Sequence, residues 1–142
     1  MNTITKPTPL YWLIAIIAIL WNFMGIIAYL GQAYISDDAI KMLPEENQLY
    51  FSNVPAWVTA AFAVAVFGGF IGSIGLIIRK KWAYFLFVIS FVALVTQHIY
   101  NFFIQNYIEM TGSQVILPIV TFIVALFLIY FSKQKSQQGV LR

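Results

Sequence analysis

The sequence predicts an all-α fold, namely an integral membrane protein with a bundle of four transmembrane helices. Of its 142 residues, 61% are hydrophobic and 9% are charged, whereas soluble domains average about 25% charged residues. Four apolar stretches contain no Lys, Arg, Asp or Glu: residues 10–35, 56–78, 82–106 and 115–132. A helix needs about 20 apolar residues to cross a hydrocarbon core. We therefore expect one transmembrane domain over residues 1–142, with these stretches as spans one to four.

The charged residues are sorted between the loops, and this sorting predicts the orientation. All five acidic residues lie in the loops after spans one and three. Seven of the eight basic residues lie before span one, between spans two and three, or after span four: Lys6, Arg79, Lys80, Lys81, Lys133, Lys135 and Arg142. Because short loops rich in Lys and Arg stay in the cytoplasm, both termini are predicted to be cytoplasmic.

The first apolar stretch has a second interpretation, as a cleavable signal peptide. Lys6 precedes it, and Gly31-Gln32-Ala33 has the small residues of a cleavage site. Signal peptides have apolar regions of about 7–15 residues. This stretch is much longer and Asn22 interrupts it, so we favour a retained first span.

The loop between spans one and two is predicted to contain two short helices. Ser36 or Asp37 can cap a helix over Ala39–Leu43, since their side-chain oxygens accept hydrogen bonds from free backbone N–H groups. Pro44-Glu45-Glu46 opens the second, with acidic residues at the positive end of the helix dipole. Leu49, Tyr50 and Phe51 give it an apolar side, so it should lie on the membrane surface or cover the bundle.

Small residues mark the predicted packing surfaces. Span two contains Gly68, Gly69, Gly72, Ser73 and Gly75, and small side chains let helix backbones approach closely in a membrane. We favour packing within one bundle over a homodimer face, although the pattern fits both. Span one has small and polar residues at helical spacing on one face, which should meet span two: Ala15, Ala18, Asn22, Gly25, Tyr29 and Gln32.

Neutral polar residues in the outer half predict a candidate ligand site. Gln97, Asn101 and Gln105 share one face of span three, with His98 beside them. We expect a cavity open to the outer side and formed by Asn22, Tyr29, Gln97, His98 and Asn101, because ligand sites combine apolar walls with a few convergent polar groups. Alternatively, these groups bond to one another and hold the helices together, which is the commoner role of uncharged polar residues in spans.

Several classes of chemistry are disfavoured by missing residues. The chain has no cysteine, and His98 is its only histidine, so thiolate metal sites, haem held by two histidines and a catalytic triad are excluded within one chain. No carboxylate lies within a span, which argues against proton-coupled export. His98 could sense protons, although packing is the commoner role of a lone histidine. We expect no cofactor, no metal and no nucleic acid partner.

Several segments resemble a family of small bacterial four-span membrane proteins whose members are often automatically named "sugar transporter". They are Trp21-Asn22 with Gly25 and Ala28-Tyr29, Pro55-Ala56-Trp57, the run 60–69, and Arg79-Lys80-Lys81-Trp82-Ala83. The resemblance covers nearly the whole chain and is most specific over residues 55–83. It implies four helices in a bacterial cytoplasmic (inner) membrane, and it implies no particular activity.

Two functional hypotheses from different classes follow. The first is a small binding or accessory membrane protein without enzymatic activity, with an outward neutral polar pocket or a helix surface for a partner. The second is an oligomeric transporter of a small neutral solute such as a sugar. The expected partners are the lipid bilayer and either further copies of the chain or a larger membrane complex. An enzyme is disfavoured because no catalytic constellation is present.

Overall fold

The computed structural model describes residues 5–142, and all of its regular secondary structure is helical. The helices are α1 (Pro9–Ala33), α2 (Asp37–Lys41), α3 (Glu45–Asn53), α4 (Ala56–Ile77), α5 (Trp82–Ile99) and α6 (Ser113–Gln137). A π-helical turn, Tyr100–Ile104, continues α5. Within this described part, α1, α4, α5 with its π-turn, and α6 are long and apolar enough to span a membrane. The prediction of an all-α chain with four such helices is confirmed.

Helix α4 is central, because it packs against both α1 and α5, and α5 in turn packs against α6. The small residues of α4 permit these close approaches. A Cβ built on Gly72 would lie 2.9 Å from the Phe87 ring, and one built on Gly75 would lie 2.8 Å from Ala83 Cβ. The glycine-rich face therefore lies against α5 within a single chain.

The end of the bundle that carries α2 and α3, here called the acidic end, is covered by these two short helices. Of the two predicted caps, Ser36 caps α2, since its Oγ accepts a hydrogen bond from Ala39 N at 3.2 Å. The helix spans Asp37–Lys41 and so begins and ends earlier than the predicted Ala39–Leu43. Helix α3 begins directly after Pro44, as predicted. Its Tyr50 is buried in a cluster with Val58 and Tyr100. The α3 helix is thereby held over the ends of α4 and α5.

The opposite end, here called the basic end, is closed by the chain's last residues. Leu141 is only 1% exposed and belongs to the main apolar cluster with Tyr11 and Phe131. Backbone hydrogen bonds join this tail to the loop after α4: Arg142 N donates to Arg79 O at 2.9 Å, and Lys81 N donates to Arg142 O at 3.1 Å. The tail is thus part of the folded core.

The ends of α5 and α6 differ from the sequence prediction. Helix α6 continues to Gln137, beyond the predicted end at residue 132, because a helix can extend past the apolar stretch that crosses the membrane. Helix α5 widens into the π-turn, where Gln105 N donates to Tyr100 O at 2.9 Å, five residues back. The Gln105 side chain then bonds the backbone of the following turn, accepting from Tyr107 N and Ile108 N at 2.9 Å each.

Candidate functional site

A cavity of about 280 Å³, here called the central cavity, lies between the four long helices near the middle of their length. Each helix contributes to its wall, for example through Asn22 of α1, Gly69 of α4, Ser90 of α5 and Ala125 of α6. Its volume is close to the lower end of the range of about 300–1,000 Å³ that is usual for small-molecule sites.

The wall of the central cavity is mainly apolar. The residues of this wall that have hydrogen-bonding groups lie on three different helices, and none of the lining residues is charged: Trp21, Asn22, Ser90 and Thr121. A cavity of this kind favours an uncharged ligand, because burying an unpaired charge in an apolar environment is very costly.

The exposed residues of its wall indicate that the central cavity opens sideways, between α1 and α6. Met24 of α1 and Leu117 of α6 both line it, and they are 64% and 63% exposed. Helices α1 and α6 are not among the helix pairs that pack extensively. Near the basic end they do meet, where Tyr11 stacks on Phe131 with ring centroids 5.7 Å apart. The two helices therefore form a cleft that is closed at the basic end.

Asn22 is held in the central cavity by contacts with two helices. Its Nδ2 donates to Ala18 O at 2.9 Å, within α1, and to Ser73 Oγ of α4 at 3.2 Å. The approach to α4 requires glycine at position 69, because a Cβ there would overlap Asn22 Oδ1. The predicted meeting of the polar face of α1 with the glycine-rich α4 thus places this amide in the cavity wall.

The two hydroxyl groups of the central cavity donate to backbone carbonyls. Ser90 Oγ donates to Ala65 O at 2.5 Å, which joins α5 to α4. Thr121 Oγ1 donates to Pro118 O at 2.8 Å, within α6. Because a hydroxyl has one hydrogen to give, both groups are left only with accepting capacity toward a ligand.

The other four residues predicted to bind ligand lie elsewhere. Tyr29 packs its ring edge-on against Phe62 and Phe67, with centroids 5.5 and 5.9 Å away. Gln97 is buried, and it does not line the central cavity. Asn101 Oδ1 accepts a hydrogen bond from Tyr50 at 2.8 Å. The structure thus places Asn22 alone of the five in the central cavity.

His98 lines a second, apolar cavity of about 250 Å³ between α5 and α6. Its Nε2 lies 3.2 Å from Pro118 O and 3.3 Å from Thr121 Oγ1. Because a carbonyl oxygen can only accept, Nε2 carries the hydrogen in this contact. His98 therefore joins α5 to the residues around the proline of α6.

The contact between Tyr50 and Asn101 links the cover at the acidic end to α5. Burial raises the pKa of the Tyr50 hydroxyl to about 12, and the neighbouring Tyr100 acts in the same direction. Tyr50 consequently stays protonated near neutral pH and remains a hydrogen-bond donor to Asn101. The hydrogen bond between Tyr50 and Asn101 therefore helps to hold α3 against α5.

Sequence reasoning missed Ser90 and Thr121 as parts of the central cavity. Each is a small hydroxyl residue inside an otherwise apolar stretch of its helix, and that interruption is the signal available in the sequence. The sequence could not show that these two residues lie on the same cavity. The spacing of residues shows which of them share a face of one helix, but it does not show which neighbouring helix this face contacts.

No protein-family model, no curated protein and no solved structure matches this chain. The resemblance to small bacterial four-span proteins therefore stays a prediction. The chain is, by its four long apolar helices, a candidate multi-pass membrane protein, and the functional argument depends on the geometry of the central cavity.

Proposed function

We propose that this chain is a multi-pass protein of a bacterial cytoplasmic membrane that binds a small, uncharged and largely apolar molecule taken from the bilayer. It acts as a binding or accessory protein and has no enzymatic activity of its own. The observation that carries this proposal is the central cavity, whose wall is mainly apolar and whose exposed lining residues lie on α1 and α6.

The position of the central cavity supports a ligand dissolved in lipid. The cavity lies midway along four helices that are each long enough to cross the membrane, so its opening would face acyl chains and not water. The exposed side chains at the rim, Met24 and Leu117, are apolar. An apolar molecule would then pass from lipid to cavity without meeting a polar barrier.

The same wall makes a sugar a poor occupant. A sugar has many hydroxyl groups, and each one buried without a partner costs about 1–3 kcal/mol. The hydrogen-bonding side chains of the cavity wall are few, namely Trp21, Asn22, Ser90 and Thr121. Transport of a small neutral solute by an oligomer stays an alternative prediction, in which the path would lie between copies of the chain.

The proposed orientation places both termini and the Arg79–Lys81 loop in the cytoplasm. Because the chain contains no cysteine, Asp38→Cys and Lys80→Cys each introduce a unique thiol. We expect a membrane-impermeant maleimide to label position 38 on intact spheroplasts, and to label position 80 only after the membrane is permeabilised. Labelling of position 80 from outside would show the reverse orientation.

Ligand binding can be measured through Trp21, which lines the central cavity. Replacing Trp12, Trp57 and Trp82 by phenylalanine leaves Trp21 as the only tryptophan. In lipid nanodiscs, a bromine-terminated nonyl alcohol should quench its fluorescence with a saturable component. Ala125→Phe fills the cavity and should weaken this component at least about tenfold, which corresponds to about 1.4 kcal/mol.

Ala60→Phe is the matched control for the cavity-filling variant, because Ala60 is exposed on α4 and does not line the central cavity. It should leave the saturable quenching unchanged. Linear, non-saturable quenching in the protein with native Ala125 would show that the probe only dissolves in the lipid. The proposed binding function would then be rejected.

A further inference from the structure

Asn22 Oδ1 is a hydrogen-bond acceptor in the wall of the central cavity to which none of the described residues donates, and this favours one kind of ligand. From this feature, and resting on the proposed binding function, we infer that the ligand has an apolar body and a single hydrogen-bond donor, such as a hydroxyl or an N–H group, which Asn22 Oδ1 accepts. Molecules of the same shape whose polar atom only accepts, such as an ether or a ketone, cannot form this hydrogen bond and should bind less tightly.

The orientation of the Asn22 amide is fixed by its neighbours. Its Nδ2 lies 2.9 Å from Ala18 O, and a backbone carbonyl oxygen can only accept a hydrogen bond. The nitrogen must therefore face Ala18. The reversed amide would set two acceptors against each other, so the oxygen occupies the remaining position, over Gly69.

The amide and hydroxyl donors of the central cavity are engaged with the protein, and the indole N–H of Trp21 is the remaining donor of its wall. Both hydrogens of Asn22 Nδ2 are directed to partners, one to Ala18 O and the other to Ser73 Oγ. Ser73 Oγ in turn donates to Gly69 O at 2.8 Å. The Ser90 and Thr121 hydroxyls donate to Ala65 O and Pro118 O. A ligand acceptor at any of these amide and hydroxyl groups would therefore have to displace an existing hydrogen bond.

Asn22 Oδ1, by contrast, is open to a ligand. Asn22 is half-buried and lines the cavity, and its Oδ1 accepts no hydrogen bond from the described residues. An amide oxygen has two lone pairs. A ligand donor loses its hydrogen bond when it leaves the polar surface of the membrane. It forms a new hydrogen bond when it reaches Asn22 Oδ1 in the apolar wall.

The expected selectivity follows from one hydrogen bond. A net hydrogen bond contributes about 0.5–1.5 kcal/mol, so the donor should improve binding about 3- to 10-fold over an acceptor of equal size. The preference should vanish when Asn22 becomes leucine, which has a similar size and no polar atoms. Ser73 keeps its own acceptor, Gly69 O, in that variant.

The test compares a bromine-terminated nonyl alcohol with its methyl ether, using quenching of Trp21 in nanodiscs. We correct for the measured partition of each probe into lipid. In the protein with native Asn22, we expect the alcohol to bind about 3- to 10-fold more tightly than the ether. In Asn22→Leu the two should bind equally. Thr96→Val is the control, because Thr96 Oγ1 donates to Val92 O and lies outside the cavity.

The outcomes separate this inference from the proposed function. Equal binding of both probes to the protein with native Asn22, or tighter binding of the ether, would overturn the donor requirement while leaving the binding function intact. A preference that survives Asn22→Leu would exclude Asn22 as the acceptor. Absence of saturable quenching by either probe would overturn both. If Asn22→Leu fails to fold by circular dichroism, Asn22→Ala replaces it in the same comparison.

Discussion

Leu141→Ala should lower the free energy of unfolding by about 2–5 kcal/mol, the usual range for truncating a fully buried leucine. Leu141 lies beyond α6 in a segment without regular secondary structure, and it is 1% exposed in the cluster that contains Tyr11 and Phe131. Its loss would also loosen the backbone hydrogen bonds between Arg142 and the loop at Arg79 and Lys81.

The matched control is Leu13→Ala, because Leu13 lies on α1 near the same end of the bundle and is 54% exposed. It should change stability by about 0.5 kcal/mol or less. Thermal unfolding in one detergent compares the two variants. Hydrogen exchange should show faster exchange of the Lys81 and Arg142 amides only in Leu141→Ala. Equal melting temperatures for the two variants would show that the tail adds nothing to the fold.

Gly75→Ala should lower the free energy of unfolding by about 1–3 kcal/mol, which is typical of overpacking in a close contact. The added methyl would lie 2.8 Å from Ala83 Cβ, 2.9 Å from the Trp82 ring and 3.2 Å from Ala83 Cα. Part of this contact is with backbone, which cannot turn away as a flexible side chain can. Helices α4 and α5 would therefore have to separate where they pack.

Gly31→Ala is the internal reference for this prediction, since nothing lies within 4 Å of a Cβ at position 31. Alanine there should keep the stability or raise it by up to about 1 kcal/mol, because alanine favours the helix over glycine. Melting temperatures in the same detergent give the comparison. A Gly75→Ala protein as stable as Gly31→Ala would mean that α4 and α5 are not packed this closely.

Much of the architecture could be predicted because it depends on local patterns. The apolar stretches between charged segments predicted the four long helices, and Ser36 was one of the two residues predicted to cap α2. The polar face of span one was expected to meet the glycine-rich span two, and the Asn22–Ser73 hydrogen bond shows that contact. This contact could be predicted because the face of span one is polar and the face of span two consists of small residues.

The candidate site could be predicted only in part. Gln97, Asn101 and Gln105 share one face of a regular α-helix, but the π-turn over Tyr100–Ile104 changes the rotation of the chain and turns Gln105 to the following loop. No local signal marks that turn. Nor does spacing show that Asn101 meets Tyr50 of α3, since that pairing depends on how the short helices cover the bundle.

The central cavity opens sideways between α1 and α6. A molecule that enters there would bind according to its concentration in the bilayer and not its concentration in water. Occupancy would follow the mole fraction of that molecule in the bilayer, and adding lipid at constant ligand would dilute it. Each further methylene favours transfer from water to lipid by about 0.8 kcal/mol, or about fourfold. Apparent affinity measured against the aqueous phase would therefore rise with tail length, even where the added carbons touch no protein.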